Sequence, residues 1–134
     1  MRRREFFLVG QAAGLPSPGK LGMPGPYPGR VISVHHPASI VSGAYQPEAI
    51  RVMMRKGMTE LTGAPGWVDA WRVFAEPGDV VGIKVCPVGG KRLCSDATVL
   101  NEIIEGLKQA GVRSRDIVIC NRYRQEILGT GIQK

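Results

Sequence analysis

The chain has 134 residues, room for one domain built around one core. Hydrophobic residues make up 43% and charged residues 22%, which excludes a disordered polymer, and no apolar run approaches the roughly 20 residues of a membrane-spanning helix. The net charge is +7, but residues 1–30 hold Arg2, Arg3, Arg4, Lys20 and Arg30 against Glu5 alone, a net of +4. The basic excess thus sits in a leader and linker rather than on a folded face, and aromatic residues are only 6%, so nucleic acid is not an expected partner.

Residues 1–29 read as that leader and linker. Arg2, Arg3 and Arg4 precede a modest apolar stretch from Phe6 to Leu15, the order of a secretory leader. Arg3-Arg4-Glu5-Phe6-Phe7 is similar to the twin-arginine export pattern, and Ala12-Ala13-Gly14 offers small residues for cleavage. The expectation is a periplasmic or otherwise exported protein that meets export machinery at its N-terminus. The alternative is a basic, frayed end with no address, and a cytoplasmic protein. Residues 10–30 hold six Gly and five Pro, a composition that seldom builds regular structure.

Folding is expected from Arg30 on. Val31 to His35 is rich in β-branched residues and bounded by Gly29 and Pro37, which predicts a strand. In residues 47–62, Pro47 suits a first helical turn, Glu48 complements the positive helix end, and Ile50, Met53, Met54, Met58 and Leu61 make one apolar stripe closed by Gly63. A shorter helix is predicted over 66–74, with Trp67, Trp71 and Phe74 on one face. Glu76 to Asp79 makes a turn.

Residues 79–121 form the clearest unit. Val80 to Val85 is nearly continuous in apolar residues, the pattern of a parallel strand covered on both faces. Ser95 and Asp96 start a helix whose buried stripe is Val99, Leu100, Ile103, Ile104 and Leu107, and Gly111 closes it. Asp116 to Cys120 is the next strand, completing a βαβ crossover. The fold class is α/β: an incomplete three-layer domain over residues 30–134, with three strands in a mostly parallel sheet. Three strands leave edges open, so the chain reads as the N-terminal part of a larger protein.

Several residues carry a resemblance. The stretch Gly78 to Gly90, the segment Asn101 to Val112, and Ile117-Val118-Ile119-Cys120-Asn121-Arg122-Tyr123 look like motifs of the domain of unknown function 362 family. Arg30 to Pro37, ending in His35-His36-Pro37, looks like the opening strand of its exported bacterial members. The resemblance covers roughly residues 1–130 and implies a longer α/β protein, a twin-arginine leader, and a redox association, since some members occur with iron–sulfur modules. No ferredoxin-type cysteine cluster is present here, and the cofactor is left unknown. The chain departs from the family where members often have Asn, at Cys86, and where they often have Asp, at Asn121.

Strand alternation places Lys84 and Cys86 on one face of their strand. A lysine in a strand buried on both faces is costly unless it meets an anion, which makes Lys84 a candidate contact for a phosphate or carboxylate. The competing reading is an edge strand from which Lys84 reaches water. Gly89, Gly90, Lys91 and Arg92 precede a helix N-terminus and suggest a generic anion site. They do not make a phosphate loop, because Val85 stands where a first Gly is needed and Arg92 where a hydroxyl is needed. Asn121 and Arg122 follow the last strand as ligand candidates, unless Asn121 merely starts a helix.

The weak metal candidates are His35, His36, Cys86, Cys94 and Cys120. Adjacent histidines on a strand point to opposite faces, so one packed and one solvated ring is the simpler reading. Cys86 and Cys120 end successive strands, with Cys94 in the loop between them, which allows a soft metal, one disulfide, or ordinary small buried side chains, with Cys86 and Cys120 expected to face opposite layers. No Ser-His-Asp order, carboxylate pair or metalloprotease motif occurs. The competing functional readings are a non-catalytic binding or scaffold module and a truncated product with no function of its own.

Overall fold

The computed structural model describes residues 25–87 and 96–128, together with residues 130 and 132. Its elements run in the order β1 (Ile40–Val41), β2 (Ala44–Tyr45), α1 (Pro47–Thr62), α2 (Trp67–Arg72), β3 (Val81–Lys84), α3 (Ala97–Ala110), β4 (Ile117–Cys120) and α4 (Arg124–Leu128). β3 and β4 pair in parallel through the α3 crossover, with Val81 opposite Ile117 and Lys84 opposite Cys120. The fold is therefore α/β, with the βαβ unit the sequence announces.

Helix boundaries follow local chemistry. Pro47 opens α1, and Gly63 ends it at φ 72°, in the left-handed region that a residue with a Cβ resists. Asp96 caps α3 by accepting a hydrogen bond from the Thr98 amide at 2.8 Å. The far end of α1 is fastened by the segment before it. The Arg30 guanidinium donates to the Leu61 carbonyl at 2.8 Å, and the Tyr27 hydroxyl donates to the Thr62 carbonyl at 3.4 Å. Both bonds satisfy carbonyls that a helix end leaves without partners. Tyr27 also packs on Phe74, ring centroids 6.0 Å apart, so the chain is already anchored three residues before Arg30.

One core lies between the helices and the inner face of the sheet. Trp67, Trp71, Ala75, Leu107, Ala110 and Val112 are its buried members, with Met54, Met58, Val81, Ile83 and Ile117 packed against them. The two tryptophan rings meet edge to face, centroids 5.5 Å apart. The Trp71 indole lies directly against Gly106, where a Cβ would collide with its nitrogen. A second cluster joins Val85, Leu100 and Ile132 to Ile104, Ile119 and Ile127.

Three expectations need correction. Val31 to His35 forms no strand. Ile32, Val34 and His36 are half-buried and Val31, Ser33 and His35 exposed, so the segment has a strand's alternation without a ladder among the described residues. Val31 is 84% exposed, and Val34 rests on Gly57 of α1 instead. A strand is completed by a hydrogen-bonding neighbour, which β-branched residues cannot supply alone. The nearest strands, β1 and β2, pair with each other across a turn in which Ser42 and Gly43 both have positive φ.

Second, among the described residues the β3–β4 sheet has two strands rather than three. Third, among the described residues it is covered on one face only. Val81, Ile83, Ile117 and Ile119 turn toward the helices, whereas Gly82, Lys84, Val118 and Cys120 are exposed. The third layer is absent among the described residues.

Candidate functional site

The carboxyl ends of β3 and β4 bring Lys84 together with Cys120 and with Asn121, 37 residues further along the chain. Lys84 is the last residue of β3, and Cys120, directly opposite, is the last of β4. The ladder continues one step further, because the Val85 amide donates to the Cys120 carbonyl at 3.0 Å. The Lys84 ammonium donates to Asn121 Oδ1 at 2.7 Å and to the Val85 carbonyl at 2.6 Å. Asn121 Nδ2 in turn donates to Glu126 Oε2 at 2.5 Å. An amide has one acceptor end and one donor end. Glu126 takes the donor end, so the oxygen is the end that meets Lys84.

Both partners of the Lys84 ammonium are uncharged oxygens. Among the described residues no carboxylate forms an ion pair with it, while the other surface ion pairs join residues three or four apart on one helix or turn. The site therefore carries the lysine's charge outward. The burial cost that argued for an anion is not incurred, because Lys84 stands on the exposed face of a half-covered sheet.

Asn121 is not a helix cap, since α4 begins three residues later at Arg124. Arg122 is exposed and its guanidinium lies over the Tyr123 ring at 5.0 Å, a stacking contact that leaves it outside the Lys84 cluster. Glu126 was missed by the sequence reading; the available signal was an acidic residue in the first turn of a helix just past the strand end. Gly89, Gly90, Lys91, Arg92 and Cys94 lie outside the described residues.

Cys86 and Cys120 are free and exposed. Val85 is buried, Cys86 exposed and Pro87 buried, so the alternation of β3 carries on past its last ladder residue. Pro87 favours this by holding the residue before it extended. Cys86 thus shares a face with Lys84, and register puts Cys120 on that same face. The expectation of opposite layers is corrected: β4 alternates in phase with β3. The Cys120 thiol leans over β3, 3.7 Å from the Ile83 carbonyl oxygen.

His35 and His36 do not converge. His35 is exposed, and His36 Nδ1 accepts a hydrogen bond from the Ala38 amide at 3.1 Å inside the turn that leads to β1. Among the described residues no group of three His, Cys, Asp or Glu side chains is placed to hold a metal ion. A shallow groove of about 450 Å³ at the C-terminal end of α1 is lined by Arg30, Thr59, Glu60, Gly63, Ala64 and Pro65, none of which belongs to the strand-end cluster. Glu105, on the surface of α3, has its carboxyl held below the usual carboxylate range by hydrogen bonds from Gln109 and Lys108, again outside the cluster.

Comparison with protein-family models, with curated proteins and with solved structures finds no match to this chain.

Proposed function

We propose that this chain belongs to an exported α/β protein resembling the domain of unknown function 362 family, and that it binds a small anionic ligand, a phosphate or carboxylate, at Lys84. One observation carries the reading: the Lys84 ammonium is fixed at the carboxyl end of a parallel strand pair by two neutral oxygens. Open α/β sheets place their ligands at that end of the strands. Asn121 matters because it adds no charge. A carboxylate at this position, as family members often have, would pair with Lys84 and cancel its field at short range. Glu126 orients the amide and so holds the lysine without neutralising it directly.

The test is a titration of the folded chain with inorganic phosphate, followed by backbone amide shifts. Saturable shifts at Lys84, Cys120 and Asn121 are expected, with a dissociation constant of roughly 1 mM or tighter. Lys84→Met and Asn121→Asp should each remove the saturation while the remaining spectrum is kept. Linear, non-saturating shifts in the parent chain, or unchanged binding by Lys84→Met, would end the proposal.

A second reading is a scaffold module. It is favoured by the outer sheet face, where Val118 is 49% exposed beside Gly82. A scaffold tolerates Lys84→Met without loss of partner binding, which separates the two readings.

A further inference from the structure

We propose that Cys86 and Cys120 together form a two-coordinate site for a soft monovalent metal ion of the copper(I) type, on the outer face of the β3–β4 sheet. The inference goes beyond the anion reading and does not depend on it.

Both thiols are exposed; Cys120 ends β4, and Cys86 lies two residues past the end of β3, where the continuing alternation of burial keeps it on the same face. They are offset by two residues, because Cys120 stands opposite Lys84. With strands about 4.8 Å apart and a rise of about 3.3 Å per residue, their Cα atoms are roughly 8 Å apart. That is too wide for a disulfide, which needs Cα atoms within about 6.8 Å. It suits a linear thiolate–metal–thiolate bridge, whose sulfurs stand about 4.6 Å apart at twice a metal–sulfur bond of about 2.3 Å. The Cys120 thiol stands 3.7 Å from the Ile83 carbonyl oxygen, on the side of Lys84 away from Cys86, and reaches the bridge by rotating about its Cα–Cβ bond toward Cys86.

Coordination number and charge select the ion. The described residues supply no third His, Cys, Asp or Glu ligand, so an ion that requires four, such as zinc, is not satisfied by them. Thiolate ligands select soft ions, copper(I) among them. On binding, each thiol releases its proton to solvent and forms one sulfur–metal bond; nothing is oxidised or reduced. Two thiolates and one monovalent cation leave a net charge of −1. Lys84, on the same face, opposite Cys120 and two residues before Cys86, supplies the compensating +1.

The test uses the full reduced chain under anaerobic conditions, with copper(I) delivered from a competing chelator, in a Cys94→Ser background that removes the third thiol. One equivalent of copper(I) per chain is expected. Further replacement by Cys86→Ser or Cys120→Ser should each weaken uptake by about 100-fold or more, as one of two soft ligands is lost. Unchanged affinity in either double variant, loss of uptake in Cys94→Ser alone, or copper-dependent dimers would overturn the site. A measurement without substitution guards against misfolded variants: copper(I) should shield Cys86 and Cys120 together from alkylation in the parent chain, and shielding of only one contradicts the bridge. Cys86→Ser should keep the phosphate saturation while weakening copper(I) uptake, so either proposal can fail alone.

Discussion

Gly106 sits where the Trp71 indole crosses α3, and the contact leaves no room for a methyl group. The indole is the heart of the larger core cluster, so it cannot swing out without opening that core. Gly106→Ala should therefore destabilise the fold by about 1–3 kcal/mol, the usual cost of overpacking. The measurement is a urea midpoint at unchanged slope. Combining it with Trp71→Phe should recover part of the loss, because the smaller ring vacates the clashing position, and a double-mutant cycle reads that coupling. Trp71→Phe has a compensation of its own, since the Trp71 indole N–H is buried without an acceptor among the described residues. None of this was legible beforehand. The sequence shows a tryptophan stripe and a helix with an interior glycine, but their meeting depends on how two helices cross.

The elements divide by how local their causes are. Both long helices begin and end where the residues announce it, at Pro47 and Gly63 and at Asp96 and Gly111, because caps act within one turn. Asp96→Ala should cost about 1 kcal/mol, with fraying confined to the first turn of α3 and visible as faster amide exchange there. Equal exchange in parent and variant would mean that the Thr98 bond adds nothing. The strand read into Val31 to His35 failed for the opposite reason. Its propensity is real, and its side chains do alternate, but no ladder meets it among the described residues. The β1–β2 hairpin escaped notice because two residues a side are too few to show a period.

At the scale of the whole molecule, the meeting of Lys84 with Asn121 followed from the βαβ order, which sets the tips of β3 and β4 side by side. The half-covered sheet did not follow, because an apolar run such as Val80 to Val85 looks the same whether one face or both are buried. Val80 is in fact 73% exposed. Among the described residues no helix is long and apolar enough to cross a membrane. Export is a proposal that rests on the arginine leader. The full chain, expressed with a C-terminal tag in a Gram-negative host, should reach the periplasmic fraction. Replacing Arg3 and Arg4 by lysine should hold it inside the cell, and equal distribution of both forms would refute a twin-arginine route.

Among the described residues the β3–β4 sheet has two strands and so no interior one. β3 and β4 each turn a row of backbone amides and carbonyls away from the other, and these groups bond to whatever extended chain comes alongside. A strand added beside β3 would set its side chains next to Lys84 and Cys86; one added beside β4 would set them next to Cys120. Which flank is extended first thus decides which of these groups gains a new neighbour, through main-chain pairing that needs no particular side chain in the newcomer.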